Sequence, residues 1–199
     1  MEIDPQKHDR SMYRTMTGTV VPRPIGWISS IAEDGTDNLA PYSFFNVVSV
    51  APPIVMFAAG DRSHKPDGMS DTTRNARTTG EFVVNLATRP FAEAMSESSA
   101  SLPPDRSEFD HAGLERAAST KIDPPRVAGV DAAFECELHE AQSVGSHTVV
   151  MGEVVYVHLD DGILTNDGKV DVREVDAVGR LAGNYYDAVE SRFRMERPD

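Results

Sequence analysis

Residues 22–57 read PRPIGWISSIAEDGTDNLAPYSFFNVVSVAPPIVMF, and the alternation of β-forming runs with turns in this stretch decides the fold class. Pro22-Arg23-Pro24 opens it as a rigid clamp. Residues 25–31 are rich in β-formers. Residues 33–38 make a polar turn centred on Asp34-Gly35, a strong hairpin signal. A second run returns through residues 39–46, and beyond Pro52-Pro53 a third strand is predicted over residues 54–59. Pro41 lies inside the second run. It has no N–H, so it interrupts the ladder and leaves main-chain groups beside Tyr42, Ser43 and Phe45 free to meet a ligand's edge.

Working outward, residues 1–10 are polar and read as a mobile arm, followed by a short helix or lead-in strand over 11–17. Residues 61–69, DRSHKPDGM, form a loop by their Pro, Asp and Gly content. Residues 70–79 predict a helix with Ser70 as N-cap, Asp71 in its first turn and Gly80 just past its end. Residues 81–87 predict a strand, and Thr88 is placed to cap a second helix through Pro90, Phe91, Ala94 and Met95. Residues 96–126 are Ser- and Pro-rich and predict an irregular excursion over the surface. Two long strands, 134–144 and 147–159, turn at Gly145-Ser146. The second is apolar on both faces, so both faces are covered, one by the barrel core and the other by a dimer partner. A last strand or turn, 177–186, precedes a charged tail over 187–199. The reading is one domain over residues 1–199, mainly β, with peripheral helices around a small closed sheet.

Composition excludes several classes. The chain has 199 residues with 32 acidic against 19 basic side chains, a formal charge of −13. Its lysines are Lys7, Lys65, Lys121 and Lys169. Nucleic acid needs a basic footprint, so it is excluded as a partner. The acidic, Lys-poor surface suits a salt-loving, halophile-like cytoplasm, where salt screens self-repulsion. No apolar run approaches the roughly 20 residues of a membrane helix, and residues 1–10 lack a signal-peptide core. The reading is therefore cytoplasmic, without membrane partners. Cys136 is the single cysteine and sits in an apolar run, as a buried small residue rather than a nucleophile. No G-x-G-x-x-G, Walker loop or G-x-S-x-G elbow occurs, and the histidines show no metal-ligand spacing.

PRPIGWISS, NLAPYSFFNVVS, PPIVMF, TGEFVVNL (79–86), GEVV (152–155) and VGRLAGNYY (178–186) resemble, in this order, the flavin reductase-like family. The resemblance runs from about residue 16 to 186. It implies an FMN-binding split barrel of Greek-key antiparallel topology, acting as a homodimer. It implies FMN as cofactor and NADH or NADPH as hydride donor. It also implies electrons passed on to oxygen, free flavin, a partner monooxygenase or another acceptor. The alternative is an FMN-binding electron carrier or sensor with no nicotinamide site of its own.

The same resemblance suggests the site. Ser29, Ala40, Pro41, Tyr42, Ser43, Phe45 and Asn46 are expected at the flavin ring. An isoalloxazine needs backbone donors at its polar edge and an apolar wall on one face. The phosphate needs donors and positive charge, which Arg62, His64 and Lys65 offer beside Ser70, Thr72 and Asn75 at a helix start. Relatives often carry Lys-Asp-Thr-x-x-Asn here. This chain has Ser70 where that lysine stands, so Arg62 or Lys65 substitutes. GSHTVV resembles the glycine-x-histidine turn of short-chain flavin reductases, which makes His147 the catalytic candidate, orienting nicotinamide or stabilising reduced flavin. Arg180, between Gly179 and Gly183, is expected near the cofactor or the dimer seam. For His147 and Arg180 a purely structural role is the competing reading.

Overall fold

The hairpin encoded by Asp34-Gly35 forms as β2 (Gly26–Ile31) and β3 (Asp37–Tyr42), paired antiparallel with Trp27 opposite Pro41 and Ile31 opposite Asp37. Gly35 turns the chain at φ +88°, a conformation that costs glycine least. In this computed structural model, residues 2–7, 11–63, 65, 67–103, 105–188, 191–196 and 198 are described. His64, residues 1 and 8–10 of the expected arm and residues 189, 190, 197 and 199 of the charged tail lie outside the described residues.

The remaining strands of the main sheet are β4 (Phe45–Val50), β5 (Pro53–Gly60), β6 (Glu81–Leu86), β9 (Ala132–Val144) and β10 (His147–Leu159). They are ordered β3-β2-β6-β9-β10-β5-β4, with every pairing antiparallel. The two ends of that order, β3 and β4, are neighbours in sequence, joined only by Ser43 and Phe44. The sheet therefore curls until its edges meet at that bend, where Ala58 N–H donates to the Phe44 carbonyl at 2.8 Å. The barrel stays split there. Residues 39–46, expected as one run, are thus two strands on opposite edges. Pro41 falls on an edge strand, where its missing N–H leaves no interior ladder bond unmade.

Inward-facing side chains of both halves fill the barrel. Phe57 and Phe82 are fully buried there and meet edge-on at 5.4 Å, a favoured aromatic geometry, while Trp27, on the opposite face of β2, is buried in a second cluster with Met95, Phe109 and Val127 and donates to Ser98 Oγ at 2.9 Å. Gly152 in β10 gives room for the Phe82 ring: a Cβ there would lie 2.4 Å from Phe82 Cζ. Cys136 is buried in the same core, and burial pushes its thiol pKa up.

Helix α2 (Asp71–Thr79) covers the barrel as its caps predict. Ser70 Oγ accepts from Thr73 N–H at 3.2 Å, and Gly80 takes φ +78°. Thr88 does not cap the next helix. A 3-10 turn over Arg89–Phe91 leads into α3 (Ala92–Glu97) with no side-chain cap, and Thr88 bridges Ala177 instead. The lead-in segment is α1 (Tyr13–Thr19).

The 96–126 excursion is more ordered than its composition suggests. It holds α4 (Glu108–His111) and the short ribbon β7 (Arg116–Ala117) with β8 (Arg126–Val127). Two buried carboxylates bind it down. Glu108 accepts from Leu39 N–H at 3.0 Å. Glu135, fully buried in β9, accepts from Thr120 N–H at 2.6 Å, Lys121 N–H at 2.7 Å and His158 Nε2 at 2.5 Å. A second small sheet joins β1 (Arg23–Pro24), β11 (Val178–Arg180) and β12 (Tyr186–Ala188), with Arg23 directly opposite Arg180.

Candidate functional site

Two grooves open beside the end of β3. The first encloses about 340 Å³ between residues 40–42 of β3, the start of α2 and residues 98–102. The second encloses about 390 Å³ between β1, β11 and α1. Pro41, Arg62 and Ser99 line both, so the grooves adjoin. Each is within the range of small-molecule sites.

The helix cap builds the first groove. To cap α2, Ser70 must sit in extended backbone with its hydroxyl turned inward, and there it also takes the Tyr42 hydroxyl at 3.2 Å. Burial raises the Tyr42 pKa, and the Ser70 hydrogen bond opposes this without reversing it, so the phenol remains a neutral donor. Thr72 Oγ1 accepts from Asn38 Nδ2 at 2.8 Å, joining the helix start to β3. Asp71 pairs with Lys65 and with Arg74 Nη1, the latter at 2.6 Å. Burial alone would raise its carboxyl pKa, but the two cations hold it below the usual range. The Lys65 charge is thus answered within the protein. Arg62, exposed in the same loop, makes no ion pair among the described residues.

Of the residues singled out in the sequence, Ala40, Pro41, Tyr42, Arg62, Lys65, Ser70 and Thr72 line the first groove, while Ser43 and Arg180 line the second. Others lie elsewhere. Ser29 is fully buried, donating to the Pro125 carbonyl and accepting from Asn85 Nδ2. Asn75 is buried against Ser30 Oγ at 3.1 Å. The Phe45 ring packs over Gly26 toward the core. Asn46 is exposed on β4, with its Oδ1 on Val47 N–H. His147 stacks on Phe44 with ring centres 5.3 Å apart, and its Nδ1 meets Ser146 Oγ. Its turn is tied to the loop carrying Arg62, because Asp61 N–H donates to the Ser146 carbonyl at 3.0 Å.

Several lining residues escaped sequence reasoning: the serines of 98–101, Glu108, Arg23 and Tyr186. Glu108 carried a signal, since it stands directly beside the core residue Phe109. Arg23 carried one too, a charge between two prolines at a strand start.

FMN, which the resemblance implies, is a flat ring with a polar edge joined to a dianionic phosphate. The residues present fit such a molecule. Ala40, Pro41 and Leu102 offer an apolar wall, Ser70, Thr72 and the serine run offer hydroxyls, and Arg62 offers a cation with no carboxylate partner among the described residues.

Comparison with known proteins agrees. The model of the flavin reductase like domain matches residues 16–173. An uncharacterized protein of Aquifex aeolicus is 38% identical over 176 residues, covering 88% of this chain and 89% of its own. The crystal structure of nitrilotriacetate monooxygenase component B from Bacillus cereus superposes with TM-score 0.90 at 29% identity, covering 98% of both chains. That of the 2-nitrobenzoate 2-nitroreductase of Pseudomonas fluorescens superposes with TM-score 0.88 at 30% identity, over 100% of this chain and 96% of the other. With the family's pattern running through most of its length and its split barrel shared end to end, the chain belongs to the flavin reductase-like family.

Proposed function

We propose that this FMN-binding, NAD(P)H-linked oxidoreductase holds its flavin along the first groove, the ring against Ala40, Pro41 and Tyr42 with one edge toward Ser43 in the adjoining groove, and the phosphate toward Arg62, Ser70 and Thr72. When bound, FMN supplies the two-electron centre that accepts hydride from nicotinamide and releases electrons to an acceptor. The protein's own part is placement. Pro41 and Ala40 wall the groove, Tyr42 is fixed by Ser70, and Arg62 brings charge to an otherwise acidic chain. The observation that carries this assignment is Arg62: a cation without an ion pair among the described residues, at the junction of two grooves. Arg62 is favoured over Lys65 for the phosphate because Asp71 already neutralises Lys65. Phe44 and His147, stacked beside the Arg62 loop, present a flat surface on which nicotinamide is oriented.

The acceptor follows from the company the chain keeps. The Bacillus cereus relative is named as component B of a monooxygenase, which supports an oxygenase-type partner receiving the electrons. The active form in this reading is a homodimer. Val47, Val48 and Val50 on edge strand β4, with Tyr156, Val157 and Leu159 at the neighbouring end of β10, are exposed apolar side chains. An uncovered apolar edge is a pairing hazard that a second copy removes. Residues 1–199 act as a single flavin-binding domain with a charged tail over 187–199, in the cytoplasm. Among the described residues no helix is long and apolar enough to cross a membrane.

The test is anaerobic stopped-flow mixing of the FMN-loaded protein with NADH or NADPH. Bleaching of the flavin band by at least one donor is expected. Flavin that binds but is bleached by neither would favour the electron carrier without a nicotinamide site. A His147→Ala protein with unchanged donor kinetics would remove the role given to that ring.

A further inference from the structure

The second groove has a charge pattern that holding a flavin does not explain. In a chain of formal charge −13, no Asp or Glu among the described residues lines it, while Arg23, Arg62 and Arg180 do. Arg23 and Arg180 stand directly opposite each other across the β1–β11 pair, where like charges destabilise a sheet. Arg23 is also buried, 7% exposed. Its Nη1 donates to the carbonyls of Thr17 and Val20, the latter at 2.8 Å, and its Nη2 to that of Leu181 at 2.8 Å. Its Nε is buried with no hydrogen-bond partner among the described residues. Carbonyls orient a guanidinium but do not neutralise it, and an uncompensated buried charge is strongly unfavourable. Arg180 is fixed in turn, with its guanidinium 4.4 Å from the centre of the Tyr186 ring and bonded to the Tyr186 hydroxyl. None of the three arginines has a carboxylate partner among the described residues.

We infer that the second groove is an oxyanion subsite for the non-flavin reactant. It takes a small molecule bearing a phosphate or carboxylate, held by Arg180 over the fixed charge of Arg23. This rests on the placement of FMN in the adjoining first groove. An oxyanion there answers the charges of Arg23 and Arg180, which an FMN phosphate on Arg62 leaves unanswered, and a guanidinium binds either group through paired N–H donors. The groove adjoins the first at Pro41, Arg62 and Ser99, so a molecule anchored by its anion extends its reacting end toward the flavin. Two sources carry this chemistry: the phosphates of the nicotinamide dinucleotide, and an organic acceptor with a carboxylate.

The experiment compares wild type with Arg180→Gln and Arg180→Lys, each as full chain loaded with FMN. Arg180 is chosen over Arg23, whose bonds to the Thr17 and Val20 carbonyls hold the end of α1 and whose bond to the Leu181 carbonyl ties it to the β11–β12 turn. FMN affinity is first measured by fluorescence quenching. Flavin bleaching is then followed with NADH and with uncharged N-benzyl-dihydronicotinamide, and inhibition with benzoate and with uncharged benzamide. We expect FMN affinity to stay within about 3-fold in Arg180→Gln. NADH or benzoate should weaken about 10-fold or more, the order of a lost charge-assisted contact, while the uncharged probes are unchanged and Arg180→Lys recovers part of the loss. A loss with NADH alone names the donor phosphates as the source, and a loss with benzoate alone names an acceptor carboxylate. The inference is overturned if neither anion is affected, or if charged and uncharged probes weaken together with FMN, which would make Arg180 part of the flavin site. Wild-type protein that takes up no FMN would instead overturn the flavin placement, while benzoate binding by direct calorimetry would still report on the groove.

Discussion

Replacing Glu135 by glutamine removes one charge and almost no volume, at a point where the barrel holds its longest excursion. The wild-type carboxylate is fully buried and accepts from two backbone N–H groups and one imidazole N–H. A glutamine keeps one acceptor oxygen and brings an NH2 that must face at least one of those donors. Orphaning a buried donor costs about 1–3 kcal/mol, and hydrogen bonds to a charged group are worth about 1.5–3 kcal/mol each. These describe overlapping losses, so a destabilisation of about 3–4 kcal/mol is expected, a fall in Tm on the order of 10 °C at this chain length. Urea unfolding of both proteins at pH 7 measures it. The pH dependence gives an independent check. Burial would raise the Glu135 pKa, but the hydrogen bonds from His158, Thr120 and Lys121 outweigh it and hold the carboxyl below its usual range. A lowered carboxylate pKa stabilises the fold above the unfolded value, about 4.3, and that stabilisation fades as pH falls toward the folded value. The gap between wild type and Glu135→Gln should therefore narrow below about pH 4. A gap under about 1 kcal/mol at pH 7, the worth of an ordinary hydrogen bond, would refute the reasoning. So would one that stays constant into acid.

Arg62→Gln should weaken FMN binding by about 10- to 100-fold through loss of a charge-assisted phosphate contact, read by fluorescence titration, with thermal stability unchanged because the side chain is exposed. Gly152→Ala should destabilise the fold by about 1–3 kcal/mol, since its Cβ would lie 2.4 Å from Phe82 Cζ and 2.9 Å from Cys136 Cβ; recovery in a Gly152→Ala, Phe82→Leu double variant would locate the clash. Adding NaCl to about 1 M, where the Debye length is about 3 Å, should raise Tm by screening the −13 charge, and a Tm that falls steadily with salt would contradict a self-repelling acidic surface.

Local chemistry was readable in the sequence where it decides structure. Ser70 and Gly80 bound α2 because a cap and a left-handed turn are properties of a few residues. Gly145, at φ +59°, places the turn between β9 and β10 for the same reason. What the sequence concealed was tertiary. Nothing within residues 39–46 says that the run divides at Ser43 and Phe44, because the division exists only when the two sheet edges meet. The ion pair of Lys65 with Asp71 and the burial of Arg23 depend on how a loop and α1 fold back onto the barrel. With 32 acidic residues in the chain, carboxylates carried little information one by one. Yet Glu135, set between Phe134 and Cys136 in an apolar run, and Glu108, beside Phe109, prove to be the buried ones among the described residues. A charge inside an apolar segment was the usable signal.

The most direct test of the account is a crystal structure of the protein soaked with FMN. Density for the ring beside residues 40–43, with the phosphate on Arg62, Ser70 and Thr72, is the predicted result. A ring bound away from β3, or a phosphate on any other face of the barrel, would contradict it.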